Sequence, residues 1–395
     1  MNNLERLNAV NLVFTPGSPV HQRDLFSGRI TQLQRVLDTL NAPGRHPVLF
    51  GQRGVGKTSL ANILGQALQN MLTVKISCDG SDTFATVWNR VLRTASVQFK
   101  KNAFGFSDND STKVTSLADA IGHDAATTKP AEIAELLSRM TTQSVVILDE
   151  FDKLRDKAVK AAFADLIKIA SDTAPLATII LVGVADNIHE LIGEHESIVR
   201  NLVHVEVPLM SDEEINTIFT TGMKKLGVAC QPEVLSLVPK LSGGFPHYAH
   251  LLGLASVKAV CAADTTHLTS ALFDTACNIA VSEAIEKYRD AFARATATTQ
   301  VSRYPKILSS CGFAKTDSRA VFRATDVVDS CKSVFGESLS VQAVVPALGE
   351  FLHPQRASVL RAVPVRGRQC YQFSDPMMRP YCRLKARELI AQTDG

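Results

Sequence analysis

No stretch of the 395-residue sequence approaches the roughly 20 consecutive apolar residues of a membrane-spanning helix. The most apolar run, Ala177 to Ala185, is too short and reads as a buried strand. Met1 to Phe14 carries Glu5, Arg6 and scattered Asn, without the apolar centre of a secretion signal, so a cytoplasmic protein is expected. None of the eight cysteines stands in a C-x-x-C pair. A structural zinc site and a disulfide framework are therefore not expected, and the thiols read as small buried hydrophobes. Internal repeats and low-complexity tracts are missing too.

What is present is an ordinary globular composition, 45% hydrophobic and 21% charged, in a chain long enough for two or three domains. The net charge of +3 is unevenly spread. Residues 300–395 hold 14 Lys and Arg against 8 Asp and Glu, a balance of +6, which leaves −3 for the rest. A basic end on a slightly acidic body fits either an anionic partner or a solvated basic face.

Residues 1–20 read as irregular, with Pro16, Gly17 and Pro19 as turn signals. Apolar spacing predicts a helix over Arg29 to Leu40, a strand over Pro47 to Phe50, a helix after Lys57 and a strand over Leu72 to Ser77. Thr83 to Phe99 reads as helix, and Gly105 to Thr128 as a polar, mobile insertion. Helices over Ala131 to Met140 and Ala158 to Ala170 alternate with strands over Ser144 to Leu148, Ala177 to Val184 and Val203 to Val207. This alternation predicts an α/β core, a parallel sheet covered by helices on both faces, over residues 21–208. An all-α lid follows over 209–297, then a small α+β domain over 298–395.

Gly51-Gln52-Arg53-Gly54-Val55-Gly56-Lys57-Thr58 matches the phosphate-binding pattern G-x-x-x-x-G-K-[ST] at every fixed position, with Ser59 continuing into the helix. Glycines let backbone N–H groups curl around phosphate oxygens, and the helix start turns its positive end on the same anion. Lys57 is expected on the β- and γ-phosphates of ATP or ADP, and the Thr58 hydroxyl on Mg2+. Chance alone would produce the pattern in roughly one such chain per hundred. Asp149, at the tip of a buried strand, is the second candidate to hold the magnesium shell; Glu150 beside it is the candidate general base for hydrolysis. Asp152 reads as a helix N-cap.

With these motifs and the helical segment behind them, the chain resembles the AAA+ ATPases, in the branch of the origin-recognition initiators and the related STAND-like signalling ATPases. The resemblance implies further roles. Arg29, in Leu25-Phe-Ser-Gly-Arg29, falls in the box that packs near adenine. Asp186 and Asn187 fall where the family carries its sensor 1 residue, and Arg200 where it carries an arginine finger serving a neighbouring subunit. In Gly243-Gly-Phe-Pro-His247 the sensor 2 arginine is missing; Pro246 and His247 resemble the G-x-P signalling relatives, with His247 on the β-phosphate. That departure favours a slow switch.

The end of the chain reads as three short helices, Tyr304 to Cys311, Thr325 to Phe335 and Ser340 to Phe351, and two strands around Arg366-Gly-Arg368. This is the order of a winged helix, whose third helix reads a groove and whose wing touches the backbone. Arg366 and Arg368 suit phosphate contact, and Gln342 is the candidate base reader on an otherwise neutral, apolar helix. Two readings stay open: an ATP-controlled DNA-binding or assembly factor, and a signalling switch, for example in phage defence, whose last domain binds a protein.

Overall fold

The computed structural model describes residues 1–19, 28–68, 71–100, 112–121, 129–185, 196–299, 302–317, 319–365 and 367–394. Helix α1 (Asn3–Val13) opens the chain, followed by α2 (Ile30–Leu40), β1 (His46–Gly51), α3 (Lys57–Ala67), β2 (Leu72–Ser77) and α4 (Phe84–Thr94). A hairpin, β3 (Ser96–Lys100) and β4 (Thr112–Ser116), leads to α5 (Leu117–Ile121) and α6 (Pro130–Ser138). Then come β5 (Ser144–Asp149), α7 (Lys157–Thr173), β6 (Ala177–Val184) and β7 (Leu202–Glu206).

Strands β1, β2, β5, β6 and β7 form one parallel sheet in the order β2-β5-β6-β1-β7. Every residue of β5 is buried, as the apolar run Val145 to Leu148 between two helical layers requires. Trp88, Phe84, Phe151 and Phe163 fill one side of the sheet. Leu60 and Leu64 of α3, with Val36 and Leu40 of α2, are in the cluster on the other.

The helical segment contains α8 (Asp212–Lys225), α9 (Pro232–Ser242), α10 (Pro246–Ala262), α11 (Ser270–Glu283) and α12 (Glu286–Thr296), with two-residue parallel strands at Ala229–Cys230 and His267–Leu268. The last segment has α13 (Tyr304–Phe313), α14 (Ala324–Phe335), α15 (Val341–Glu350), an antiparallel pair Leu360–Val365 and Arg368–Phe373, and α16 (Met378–Asp394). Among the described residues no helix is long and apolar enough to cross a membrane.

Three expectations are corrected. Residues 1–20 are not irregular throughout: Asn2 and Glu5 form a reciprocal cap that starts α1, and Phe14 plugs into the lid. The helix predicted to reach Phe99 stops at Thr94, because Val97 and Phe99 alternate with Ser96, Gln98 and Lys100, a period of two that pairs with Thr112–Ser116. Within the expected polar insertion, Thr112–Ser116 is strand and Leu117–Ile121 helix; 101–111 and 122–128 lie outside the described residues.

Helix α16, not anticipated, packs on both α13 and α11, so lid and last segment share one hydrophobic cluster instead of meeting at a linker. It also uses up much of the basic excess. Arg379 donates to Gly312 O and Ala314 O, Arg383 to Gly312 O and Lys240 O, Arg387 pairs with Asp274 and Lys385 with Glu388. Burial pushes the Arg383 pKa down to about 9. These cations satisfy helix-end carbonyls and neighbouring acids; they are not a free face for docking anions.

Candidate nucleotide site

The parallel register sets Gly51 beside Val184 and Ser77 beside Asp149. The carboxyl ends of β1, β2, β5 and β6 thus meet along one edge, where open α/β sheets offer their ligand crevice. The cavity there holds about 530 Å3, a usual size for a small-molecule site. Arg53, Gly54, Gly56, Lys57, Thr58 and Ser59 line its floor, Asp149, Glu150 and Asp152 one wall, and Pro246, His247 and Thr15 to Pro19 the other.

The loop needs its glycines. A Cβ on Gly51 would sit 2.3 Å from Val207 O, and Gly54, at φ +84°, would place one 2.5 Å from Met377 Sδ. Lys57 is buried; its Nζ donates to Gly51 O at 2.9 Å and Gln52 O at 2.8 Å. Burial pushes its pKa down to about 8, against the pull of Asp152 and Asp149. A buried cation held only by carbonyls at the mouth of an amide-lined turn fits a phosphate.

Asp149 sits at the strand tip, 1% exposed. Its Oδ1 accepts from Glu150 N at 2.9 Å and, weakly, from Thr58 Oγ1 at 3.4 Å. Its Oδ2 lies 2.9 Å from Lys75 Nζ without a hydrogen-bond partner, an ion pair off the bonding axis. One buried carboxylate, a hydroxyl and an amide-lined turn fit Mg2+ held together with nucleotide phosphates, since that ion takes one or two carboxylates and keeps waters. Among the described residues no cluster of three His, Cys, Asp or Glu is arranged to hold a metal without help. Lys75, unremarked in the sequence, is a structural finding: β2 pairs with β5 in register, which brings the amine to Asp149.

Glu150 adopts a left-handed backbone, φ +56°, and its carboxylate pairs with Lys153 Nζ at 2.7 Å. That reversal turns Asp152 toward β6, where its Oδ1 accepts from Val184 N at 2.8 Å. Asp152 is therefore not the helix cap; Asp156 is, accepting from Ala158 N.

Arg29 is also placed differently from the expectation. At φ +61° it points inward, buried, and its guanidinium donates to Val55 O at 3.0 Å and to Pro208 O. Its backbone N–H donates to Glu214 Oε1 at 2.8 Å. Burial lowers its pKa while Glu214 raises it. Arg29 thus bolts the loop to the core–lid junction and does not line the cavity. Gln52 also faces clefts beside the last segment, and Val55 is buried in the core.

From the lid, Pro246 Cγ comes within 3.6 Å of where a Gly56 Cβ would be. His247 Nδ1 lies 2.6 Å from Pro16 O, and His250 Nδ1 accepts from Thr15 N at 3.3 Å. Desolvation lowers both imidazole pKa values, that of His250 to about 4. The wall made by Thr15 to Pro19 went unseen in the sequence, where only its turn residues stood out.

Asp186, Asn187 and Arg366 lie outside the described residues. Arg200 is exposed in the turn Glu196–Asn201 before β7, at the opposite edge of the sheet from the cavity. A five-residue strand at about 3.3 Å per residue separates the two edges, so Arg200 cannot reach its own site. Gln342 and Arg368 are exposed on α15 and the hairpin, far along the chain from Lys57.

Residues 42–192 match the family model of the AAA domain. No curated protein matches the chain. The Walker-type ATPase PABY2304 of Pyrococcus abyssi is 16% identical, covering 93% of this chain and 99% of its own, with a TM-score of 0.54. The ORC1 protein of Aeropyrum pernix, solved in complex with DNA, is 15% identical over 97% of this chain and 98% of its own, with a TM-score of 0.48. The RuvB branch migration motor of Thermotoga maritima is 14% identical over 90% and 95%, with a TM-score of 0.42. The chain has the AAA+ P-loop ATPase fold.

Proposed function

We propose that the protein is a slow ATP-hydrolysing switch whose nucleotide state sets the seating of its C-terminal segment, and through it contact with DNA or an assembly partner. The observation carrying this reading is the seat of Met377 on the phosphate loop. Its side chain occupies the place a Gly54 Cβ would take, and its carbonyl accepts from Tyr248 Oη, a buried lid residue, at 2.8 Å. Asp375 steadies the turn, accepting from Lys287 Nζ at 2.8 Å, Tyr288 Oη at 3.1 Å and Met377 N at 3.1 Å. Loop, lid and C-terminal segment therefore touch at Gly54, three residues before Lys57.

In this reading Lys57 exchanges two carbonyls for phosphate oxygens, and the amides of Gln52 to Ser59 line the rest. Thr58 and Asp149 would hold Mg2+, which would neutralise charge on the phosphates. Asp149 would then give up its ion pair with Lys75. Glu150, freed from Lys153, orients a water and takes its proton as the water oxygen bonds to the γ-phosphorus and the bond to ADP breaks. Arg200 acts only across a subunit boundary, which makes turnover depend on self-association. Asp186 or Asn187 would contact the same water or the γ-phosphate.

Glu150→Gln is expected to keep ATP binding and abolish phosphate release; normal release would remove the base assignment. Native mass measured with ADP and with a slowly hydrolysed ATP analogue tests association. For the last segment, read as a winged helix, salt-sensitive DNA binding should weaken when Arg366 and Arg368 both become Glu. A specific observation supports the signalling alternative. Helix α15 shows Val341 and Val345 about 40% exposed beside Pro346, an apolar face suited to a protein partner. DNA binding indifferent to the double substitution would favour it.

A further inference from the structure

His247 has a polarity that its neighbour decides. Its Nδ1 stands 2.6 Å from Pro16 O, and a carbonyl can only accept, so Nδ1 carries the proton. Desolvation lowers the pKa of the ring against the pull of that carbonyl, so near neutral pH the ring holds a single proton. Nε2 is then a bare lone pair. It is buried and has no partner among the described residues, on a ring that lines the nucleotide cavity.

The ring cannot easily turn to present its other nitrogen. Tyr248 packs edge-on against it with centroids 5.0 Å apart, and Tyr248 is itself fixed through Met377 O. The strand of chain above it is held at two points, by Thr15 N on His250 Nδ1 and by Pro16 O on His247. A flip would break the bond to Pro16 O.

A lone pair repels a phosphate oxygen and seeks a donor. We propose that His247 Nε2 accepts a hydrogen bond from the nucleoside half of the bound nucleotide, either the adenine 6-amino group or a ribose hydroxyl, and so selects the nucleoside instead of contacting the β-phosphate. This rests on the nucleotide-binding reading above. A base with a 6-oxo group would set acceptor against acceptor, which sites built around a hydrogen bond reject strongly.

The test is equilibrium binding of ATP, inosine triphosphate, and 2′-deoxy- and 3′-deoxy-ATP to the full chain and to His247→Phe, with 15N ring shifts of His247 in the unsubstituted protein. The unsubstituted protein should bind one analogue at least about tenfold more weakly than ATP. A weak inosine nucleotide identifies the amine, a weak deoxynucleotide the hydroxyl. In His247→Phe that gap should close, through loss of ATP affinity alone. The ring shifts should report protonated Nδ1 and bare Nε2 before ligand, with Nε2 moving on ATP addition. Equal weakening of all four nucleotides in His247→Phe, no weakening, or a protonated Nε2 would overturn the proposal. Failure of the unsubstituted protein to bind ATP would instead overturn the nucleotide reading beneath it. If the variant does not fold, the ring shifts decide.

Discussion

Phe14 offers a quantitative check on how the N-terminal segment is held. It is 1% exposed, and its ring fills the space where Cβ atoms on Gly222 and Gly253 would lie, each 2.3 Å from a ring carbon. It stands edge-on to His250 and 6.4 Å from Phe219, centroid to centroid. Phe14→Ala removes the ring from a packed site and should cost about 3–5 kcal/mol. Gly253→Ala alone forces a methyl into the ring, an overpacking cost of about 1–3 kcal/mol, partly offset by about 1 kcal/mol of helix preference. With Phe14→Ala already present the methyl enters empty space, and the same change should stabilise by about 1 kcal/mol. The two substitutions should therefore couple by about 1–3 kcal/mol in a double-mutant cycle measured by urea unfolding. Phe14→Ala should also weaken ATP binding, because Thr15 to Pro19 wall the cavity directly beyond the anchor. Additivity within about 0.5 kcal/mol would refute the packing argument, and unchanged affinity would detach the wall from the site.

Other outcomes follow from single groups. Lys57 has its pKa pushed down to about 8, so above that pH the free protein must take up a proton to bind phosphate. ATP affinity should fall roughly tenfold between about pH 7 and about pH 9, and stay flat in a Lys57→Arg protein if the variant binds. His46, fully buried with Nδ1 accepting from Ile179 N at 3.0 Å, has its pKa lowered to about 4 by burial. The unfolded chain binds the extra proton first, so its contribution is present above pH 6.5 and lost as pH falls through about 4, a loss of roughly 3 kcal/mol. Urea midpoints across that range check it, and His46→Asn should flatten the slope. Arg29→Ala strands the carbonyls of Val55 and Pro208 and should cost about 3 kcal/mol in the same assay, with Arg29→Lys no full rescue, because an ammonium lacks the planar fork.

Local chemistry alone made much of this protein legible. The glycines and Lys57 obey backbone and charge rules that act within eight residues, and β5 announces itself by the unbroken apolar run Val145 to Leu148 before Asp149. The alternation of such strands with amphipathic helices is enough for the parallel sheet. Tertiary structure decided what depends on distance. Lys75 meets Asp149 only because β2 and β5 pair in register. Arg29 faces inward, toward Val55 and Pro208, through contacts 26 and 179 residues away. Helix α16 turned a basic composition into internal caps and ion pairs, and Met377 reached Gly54 across the length of the chain. The phosphate site is written in contiguous residues. The lone pair of His247 is set by a carbonyl 231 residues earlier, and no pattern of neighbours along the sequence encodes that.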